Sequence, residues 1–386
     1  MLVRGGAGEY TPRQLNDLTG RLSIKINTEL SDDSLIVTMD CLSEHYETAL
    51  KILGEIYFKP LFDSGVLEDE KTISAEMIGH RYDNPENLLG AAYSAAMYSG
   101  TKVSRFPSEK TVMSVNRKDI ADFHSNIMNN SDAIIYISGN ISRQKMISDL
   151  SGLFSGMKAR KTERGLFSGI TANSFSRCLI VDKKINQAYI RIGIGAVQRP
   201  VEEYYPLALA SMILGGGGFT SRLGTEVRSN SGLTYSIYSH VESNYSFQGT
   251  FYVDFFTKTE SAARASSMCL DVIKKFLAEG PTDEELSNAK KMLVEGLPSY
   301  FRSPYDIVST YARSEFNGNK PDHYISYPSK INSLTKDDVM KSARKYLRPE
   351  NFVYTVVGDS KTITDQSFGD FSFGKFSPRV INQDDL

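Results

Sequence analysis

Four absences bound this 386-residue chain before any motif is read. Its cysteines number three, Cys41, Cys178 and Cys269, widely spaced and flanked by apolar residues. That excludes a disulfide framework or a cysteine-based metal site and leaves buried thiols as the expectation. Its histidines are His45, His80, His124, His240 and His323, and no two stand four apart. No single helix turn can therefore present a pair of imidazoles to a metal. Charge of one sign is not in excess: 44 basic side chains face 46 acidic ones, for a net charge of -2. With one short basic stretch and no basic patch interleaved with aromatics, a nucleic-acid partner is excluded. Nor is there the unbroken run of about 18 apolar residues that a membrane span needs, and Met1-Leu2-Val3-Arg4-Gly5-Gly6 does not open a signal peptide.

What is present suits a soluble globular protein: 40% apolar and 23% charged residues. The length fits two domains of about 200 residues each. The stretch Lys158 to Asn173 is basic, then rich in Gly, Ser and Thr, and has no apolar period, so it reads as a linker. The expected domains are 1–170 and 171–386. The compartment stays open. A cytoplasmic location is slightly favoured, and an extracytoplasmic one requires a signal peptide upstream of Met1.

Strands and helices interleave. Period-two alternation at Leu35, Val37, Met39 and Cys41, at Ala188, Ile190, Ile192 and Ile194, and at Phe251, Val253 and Phe255 predicts half-buried strands. Helical spacing at Ala49, Leu53, Ile56 and Tyr57 and at Leu286, Ala289 and Leu293 predicts helices, the second opened by a capping box at Thr282 to Glu285.

The two halves align on each other. Asn116 to Ile120 matches Thr335 to Val339, and the apolar run Ala133 to Ile137 matches Phe352 to Val356, each followed by glycine at Gly139 and Gly358. The offset, 358 − 139 = 219, also pairs Pro85 with Pro304, Glu76 with Glu295, Lys71 with Lys290, Leu67 with Leu286 and Tyr57 with Phe276. A capped helix, a strand and a Gly turn recurring in one order and register predict a duplication. The second repeat opens with the strand Ala188 to Ala196, the helix Tyr204 to Leu214 and the loop Gly215 to Gly218. Subtracting 219 places that helix ahead of Met1, so the first repeat is expected to be incomplete at its N-terminus. The sheet edge and apolar face left open then need cover from elsewhere.

The run Leu214-Gly215-Gly216-Gly217-Gly218-Phe219-Thr220-Ser221-Arg222-Leu223, continued by Glu226-Val227-Arg228 and Gly232-Leu233-Thr234-Tyr235-Ser236, carries most information. It lacks the Gly-Lys-Ser/Thr and the preceding strand of a phosphate loop, so its glycines are expected to make a tight, mobile turn. The run resembles the C-terminal half of the pitrilysin/insulinase metallopeptidase superfamily, which includes the mitochondrial processing peptidase. Tyr10 to Leu15, Lys59-Pro60-Leu61-Phe62, Arg81 to Pro85 and Asp119 to His124 extend the resemblance through the first half. The resemblance implies an α+β protein. Each of its two homologous α/β repeats is a mainly antiparallel sheet with helices packed on it, and the repeats face each other across a peptide cavity.

In that family an Arg and a Tyr of the C-terminal half bind substrate near the scissile bond, and by motif they fall on Arg228 and Tyr235. Guanidinium and phenol both donate hydrogen bonds and suit a peptide carbonyl. Gly215, Gly216, Gly217 and Gly218 would form a hinge or loop beside the substrate. The family's zinc helix, His-x-x-Glu-His, is absent. Glu76 occupies the third-ligand position, yet Glu295 takes the matching place in the repeat that binds no metal, so Glu76 reads better as a helix-surface carboxylate. Three functions follow from the resemblance: a non-catalytic substrate-binding subunit of a zinc endopeptidase, the larger part of a zinc metalloendopeptidase whose N-terminus lies upstream, or a scaffold subunit without peptide chemistry. The first expects no cofactor in this chain alone, zinc on a homologous partner or in the complete enzyme, a peptide or unfolded protein as substrate, and a heterodimer or homodimer.

Overall fold

Alternating apolar residues at 188–194 and 251–255 build the centre of a sheet. Ala188, Ile190, Ile192 and Ile194 and their neighbours Phe251, Val253 and Phe255 are all buried on one face. In this computed structural model the described residues are 1–31, 34–128, 133–155, 167–173, 175–242 and 244–386. Their strands are β1 (Lys25–Leu30), β2 (Leu35–Asp40), β3 (Arg177–Asp182), β4 (Gln187–Gly195), β5 (Thr234–Glu242), β6 (Thr250–Lys258), β7 (Val353–Gly358), β8 (Ser367–Phe368), β9 (Phe371–Ser372) and β10 (Arg379–Ile381). The chain is mixed α/β. Its six-stranded sheet runs β10-β3-β7-β4-β6-β5, antiparallel at three of five pairings and parallel at β10·β3 and β3·β7.

Contacts divide the chain into two compact units that interleave along the sequence rather than parting at one cut. One holds residues 1–80, 107–166 and 303–312, the other 81–106, 167–302 and 313–386. Of the expected linker, residues 158–166 lie outside the described residues, and the second unit resumes at Phe167.

In the second unit the six-stranded sheet is covered on both faces. Helices Tyr204–Ser211, Ala262–Glu279 and Lys336–Tyr346 pack on the face of Ile190 and Phe251. From the second of these, Leu270, Ile273 and Phe276 enter the core, each burial contributing about 1.5–3 kcal/mol. Helix Pro85–Met97, with Leu88, Leu89, Ala92, Tyr93, Ala96 and Met97 buried, covers β3, β7 and part of β4 on the other face. Asn84 caps that helix by accepting from Glu86 N, and Pro85 sits at its first position. The capping boxes at Thr282/Glu285 and Thr335/Asp338 form.

The first unit contains the β1–β2 hairpin, antiparallel from Lys25↔Asp40 to Leu30↔Leu35, with helices Pro12–Arg21, Tyr46–Phe58, Ser64–His80, Arg117–Met128 and Arg143–Leu153. Its buried cluster is small, Ala7, Leu15, Ile24, Ala49, Ile52 and Ile56. Leu30, Met77, Phe123 and Ile147 are exposed.

Three local expectations need correction. The run Ala133 to Ile137 is not a strand, and Ile135 is 44% exposed. Its counterpart β7 lies between β3 and β4 with every residue buried. A strand persists only where a flanking strand takes its backbone hydrogen bonds, and no strand of the described residues pairs with residues 133–137. The second correction concerns Leu35 to Met39, which are half-buried on both sides instead of alternating. Cys41 falls past the end of β2 and is half-buried, whereas Cys178 and Cys269 are fully buried. Burial pushes the Cys178 thiol up to about 12 and raises Cys269 as well, so both remain unreactive thiols. Third, the helix expected over Tyr204 to Leu214 is α-helical only to Ser211 and widens into a π-turn at Met212–Gly216. The apolar spacing of a helix persists through that change, which is why the sequence did not reveal it.

Three pairs of helices start at the 219-residue offset, one of them Ser64–His80 and Asp283–Glu295, with 283 − 64 = 219. Helices Pro85–Met97 and Pro304–Phe316 differ by 304 − 85 = 219 at the start and 316 − 97 = 219 at the end, and Arg117–Met128 starts 336 − 117 = 219 before Lys336–Tyr346.

Candidate functional site

The glycine run begins inside a helix. At Gly215 an added Cβ would overlap the backbone nitrogen of Ser239 on β5, so only glycine lets the π-turn lie against the strand. Ser211 and Ser239, both buried, meet beside it, Ser239 Oγ donating to Ser211 O at 2.7 Å. Gly216 ends the π-turn, Gly217 follows it, and Gly218 has φ +62°, where a side chain would be strained. The chain then presents Phe219, 65% exposed.

Arg222, in the next turn, is clamped. Its guanidinium donates to both carboxylate oxygens of Glu285 at 2.6 and 2.7 Å and to Gly280 O at 2.7 Å. The arginine beside it holds the Glu285 carboxyl below the ordinary value, against the opposing effect of burial. Glu285 also accepts from Thr282 N at 2.7 Å. One carboxylate thus fastens the glycine segment to the start of helix Asp283–Glu295.

A second π-turn, Gly224–Asn230, carries Arg228. Ser231 Oγ donates to Glu226 O at 2.6 Å and Gly232, at φ +63°, reverses the chain into β5. Wide helical turns of this kind concentrate at functional sites. At the start of β5 the pairing to β6 passes from Thr234↔Thr257 to Ile237↔Phe255, one residue more on β5 than on β6. Ile237 faces the core, and strict alternation would send Tyr235 to the same face. The bulge turns Tyr235 outward instead, to 76% exposure. Thr234 Oγ1 anchors it, 2.6 Å from Phe256 O and 2.7 Å from Ser236 O.

These devices bring Arg228, Tyr235 and Phe219 together. The Arg228 guanidinium carbon lies 3.8 Å from the Phe219 ring centroid and 4.9 Å from that of Tyr235. No hydrogen bond or ion pair engages Arg228 among the described residues, so aromatic contact alone orients it and its N–H groups stay available. β5 is the last strand of its sheet. The arrangement presents a phenol and a guanidinium as donors at the start of that terminal strand. Phe219 belongs to the glycine-rich run, and an aromatic side chain in such a turn is the signal the sequence offers for it.

Glu76 stands elsewhere. It is exposed on helix Ser64–His80 with no ion pair among the described residues, and Glu295 is exposed with Lys291 3.8 Å away. All five histidines are described, and no group of three or more His, Cys, Asp or Glu side chains converges among the described residues. Among the described residues the three or more donors of a protein zinc site do not meet.

Comparison with known proteins agrees with the fold. The pattern of the family described as "Insulinase (Peptidase family M16)" matches residues 2–107, and that of "Peptidase M16 inactive domain" matches residues 114–293. The "Uncharacterized zinc protease YmxG" of Bacillus subtilis is 24% identical over 358 residues, covering 92% of this chain and 86% of that protein. The "Non-peptidase homolog YmxG" of Helicobacter pylori is 20% identical over 340 residues, 87% of this chain and 76% of the relative. The solved peptidase M16 inactive domain from Pseudomonas fluorescens superposes with a TM-score of 0.81 at 21% identity, covering 92% of this chain and 86% of its own. The chain therefore belongs to peptidase family M16, the pitrilysin/insulinase family, and lacks the family's zinc-binding His-x-x-Glu-His segment.

Proposed function

We propose that this chain is a non-catalytic, substrate-binding subunit of an M16 zinc endopeptidase, gripping an extended peptide or unfolded protein through Arg228 and Tyr235. The observation that carries this reading is the surface stack of Arg228 on Phe219 and Tyr235, with donors free, in a chain whose histidines do not converge. Donors fixed in advance toward a peptide carbonyl hold it and favour the charge that develops on attack. Zinc and the attacking water come from a homologous partner that carries the His-x-x-Glu-His helix, and Glu76 takes no part in metal binding. Gly215 to Gly218 form the substrate-side loop. The 219-residue spacing of helices supports two homologous repeats. The exposed apolar side chains of the first unit, Leu30, Met77 and Phe123, support a covering partner.

The test mixes this chain with a zinc-bearing M16 homologue and follows cleavage of a quenched fluorescent peptide. The chain alone, with zinc, is expected to cleave nothing. The mixture is expected to cleave, with activity lost in Arg228→Ala and reduced in Tyr235→Phe. Full activity in both variants would sink the reading, as would tight stoichiometric zinc in the chain by itself. The name of the Helicobacter relative, a non-peptidase homolog, favours a second reading, a scaffold subunit. Under it labelled unfolded peptides show no saturable binding.

A further inference from the structure

A second arginine held by tyrosines lies at the other end of β5. Arg199 follows β4, and its backbone N donates to Asn244 O at 2.8 Å, just past β5. Its guanidinium carbon sits 4.1 Å from the ring centroid of Tyr204, which opens helix Tyr204–Ser211, and 4.8 Å from that of Tyr245 in the β5–β6 turn. Asn319 Nδ2 donates to the Tyr245 hydroxyl at 3.0 Å and fixes that ring. Arg199 itself makes no hydrogen bond or ion pair through its side chain among the described residues. Of the neighbouring carboxylates, Glu202 holds Lys330 at 2.9 Å and Glu203 holds Lys345 at 3.1 Å, while Asp322 acts on the adjacent His323 and makes no ion pair with Arg199 among the described residues.

The surroundings do not neutralise it. Tyr205, Tyr327, His323 and Tyr324 form a continuous ring cluster, with centroids 6.1, 6.2 and 4.9 Å apart in that order. Burial raises the Tyr245, Tyr324 and Tyr327 phenols above their ordinary value, so they stay protonated. Burial, with the nearby Arg199 and Lys330 cations, lowers His323 below its ordinary value and keeps it neutral. The result is a cation without an ion pair among the described residues, partly withdrawn from water among aromatic rings, with its planar N–H edge unused. Such a charge is costly unless paired, and a guanidinium edge matches a planar carboxylate in two parallel hydrogen bonds.

We propose that Arg199, with Tyr204 and Tyr245 as walls, is an oxyanion-binding site whose fitting ligand is a single carboxylate, an acidic side chain or a chain terminus. The site stands apart from the peptide-binding reading of Arg228 and Tyr235, since Tyr245 lies ten residues beyond Tyr235, roughly 30 Å at strand rise.

The experiment follows phenylglyoxal labelling of Arg199 and Arg228 in the full chain by peptide mass mapping. The probes are N-acetylglutamate amide, N-acetylglutamine amide and inorganic phosphate. The glutamate derivative is expected to slow labelling of Arg199 several-fold and leave Arg228 unchanged, with no effect from the glutamine derivative. Equal protection by the glutamine derivative, or none by any probe, overturns the site. Stronger protection by phosphate overturns the carboxylate assignment. In Arg199→Lys, which keeps the charge and loses the two-pronged edge, calorimetry is expected to show the glutamate derivative binding about tenfold more weakly. Unchanged affinity in that variant overturns the geometry, and if the variant does not fold, the labelling of the wild-type chain decides alone.

Discussion

Arg228 and Arg222 are six residues apart in one motif and have opposite fates. Arg222 is spent on Glu285 and Gly280 O inside the fold, whereas Arg228 rests on rings at the surface. If the Phe219 ring serves to aim Arg228, Phe219→Ala removes an exposed cation–π contact of about 0.5–1 kcal/mol and weakens binding of a labelled unfolded peptide roughly two- to fivefold. Its melting temperature should match wild type; a large drop would assign Phe219 to the core instead. Histidine ionisation gives a prediction at the same scale. His124 Nε2 lies 3.0 Å from Tyr57 O, an acceptor, so that nitrogen carries the proton. Burial lowers both His124 and His323 below the ordinary 6.5. Their folded values lie below the unfolded ones, so the stability they confer is present above pH 6.5 and lost as pH falls through the depressed values. Urea midpoints should fall between about pH 7.5 and 5, and less steeply in the His124→Gln/His323→Gln double variant. Equal slopes would remove these two residues from the account.

Elements set the site through two π-turns and one bulge. Gly215→Ala forces a methyl group into the Ser239 backbone and is expected to cost about 3 kcal/mol, read as a lower urea midpoint. A neutral outcome would mean that the π-turn and β5 separate freely. Arg222→Ala leaves the Glu285 carboxylate and Gly280 O without their partner, and the same measurement should show a loss of about 3 kcal/mol. Peptide affinity per folded molecule should also fall, because the segment carrying Phe219 loses its anchor to helix Asp283–Glu295. Affinity unchanged in folded Arg222→Ala would show that the two π-turns hold Phe219 and Arg228 by themselves.

Across the whole molecule, buried material is unequal. One unit builds a sheet with packed helices on both faces; the other buries a short cluster around Leu15, Ile52 and Ile56 and leaves Leu30, Met77 and Phe123 in solvent. Local stability follows buried contacts. Amides of helix Tyr46–Phe58 should exchange hydrogen faster than those of helix Ala262–Glu279, and a zinc-bearing homologue that covers the first unit should slow the former selectively. Equal exchange in the free chain would show that the small cluster suffices.

Much of this was legible in the sequence because the relevant signals are local. Alternation at 188–194 and 251–255 named the central strands, the capping box at Thr282 set a helix start to the residue, and the run from Gly215 to Tyr235 carried the family. The histidine spacing alone removed a helical zinc pair from this chain. What the sequence could not decide depended on neighbours distant along the chain. Ala133 to Ile137 and β7 have the same apolar character, and only the presence of flanking strands makes one of them a strand. Helix Pro85–Met97 reads as part of the first half and packs in the second unit. Tyr235 reaches the surface through a bulge that no period-two pattern encodes, and Arg199 meets Tyr245 because a sheet turn brings it back. Periodicity and capping are properties of a few adjacent residues; pairing, burial and the facing of rings and charges belong to the folded chain.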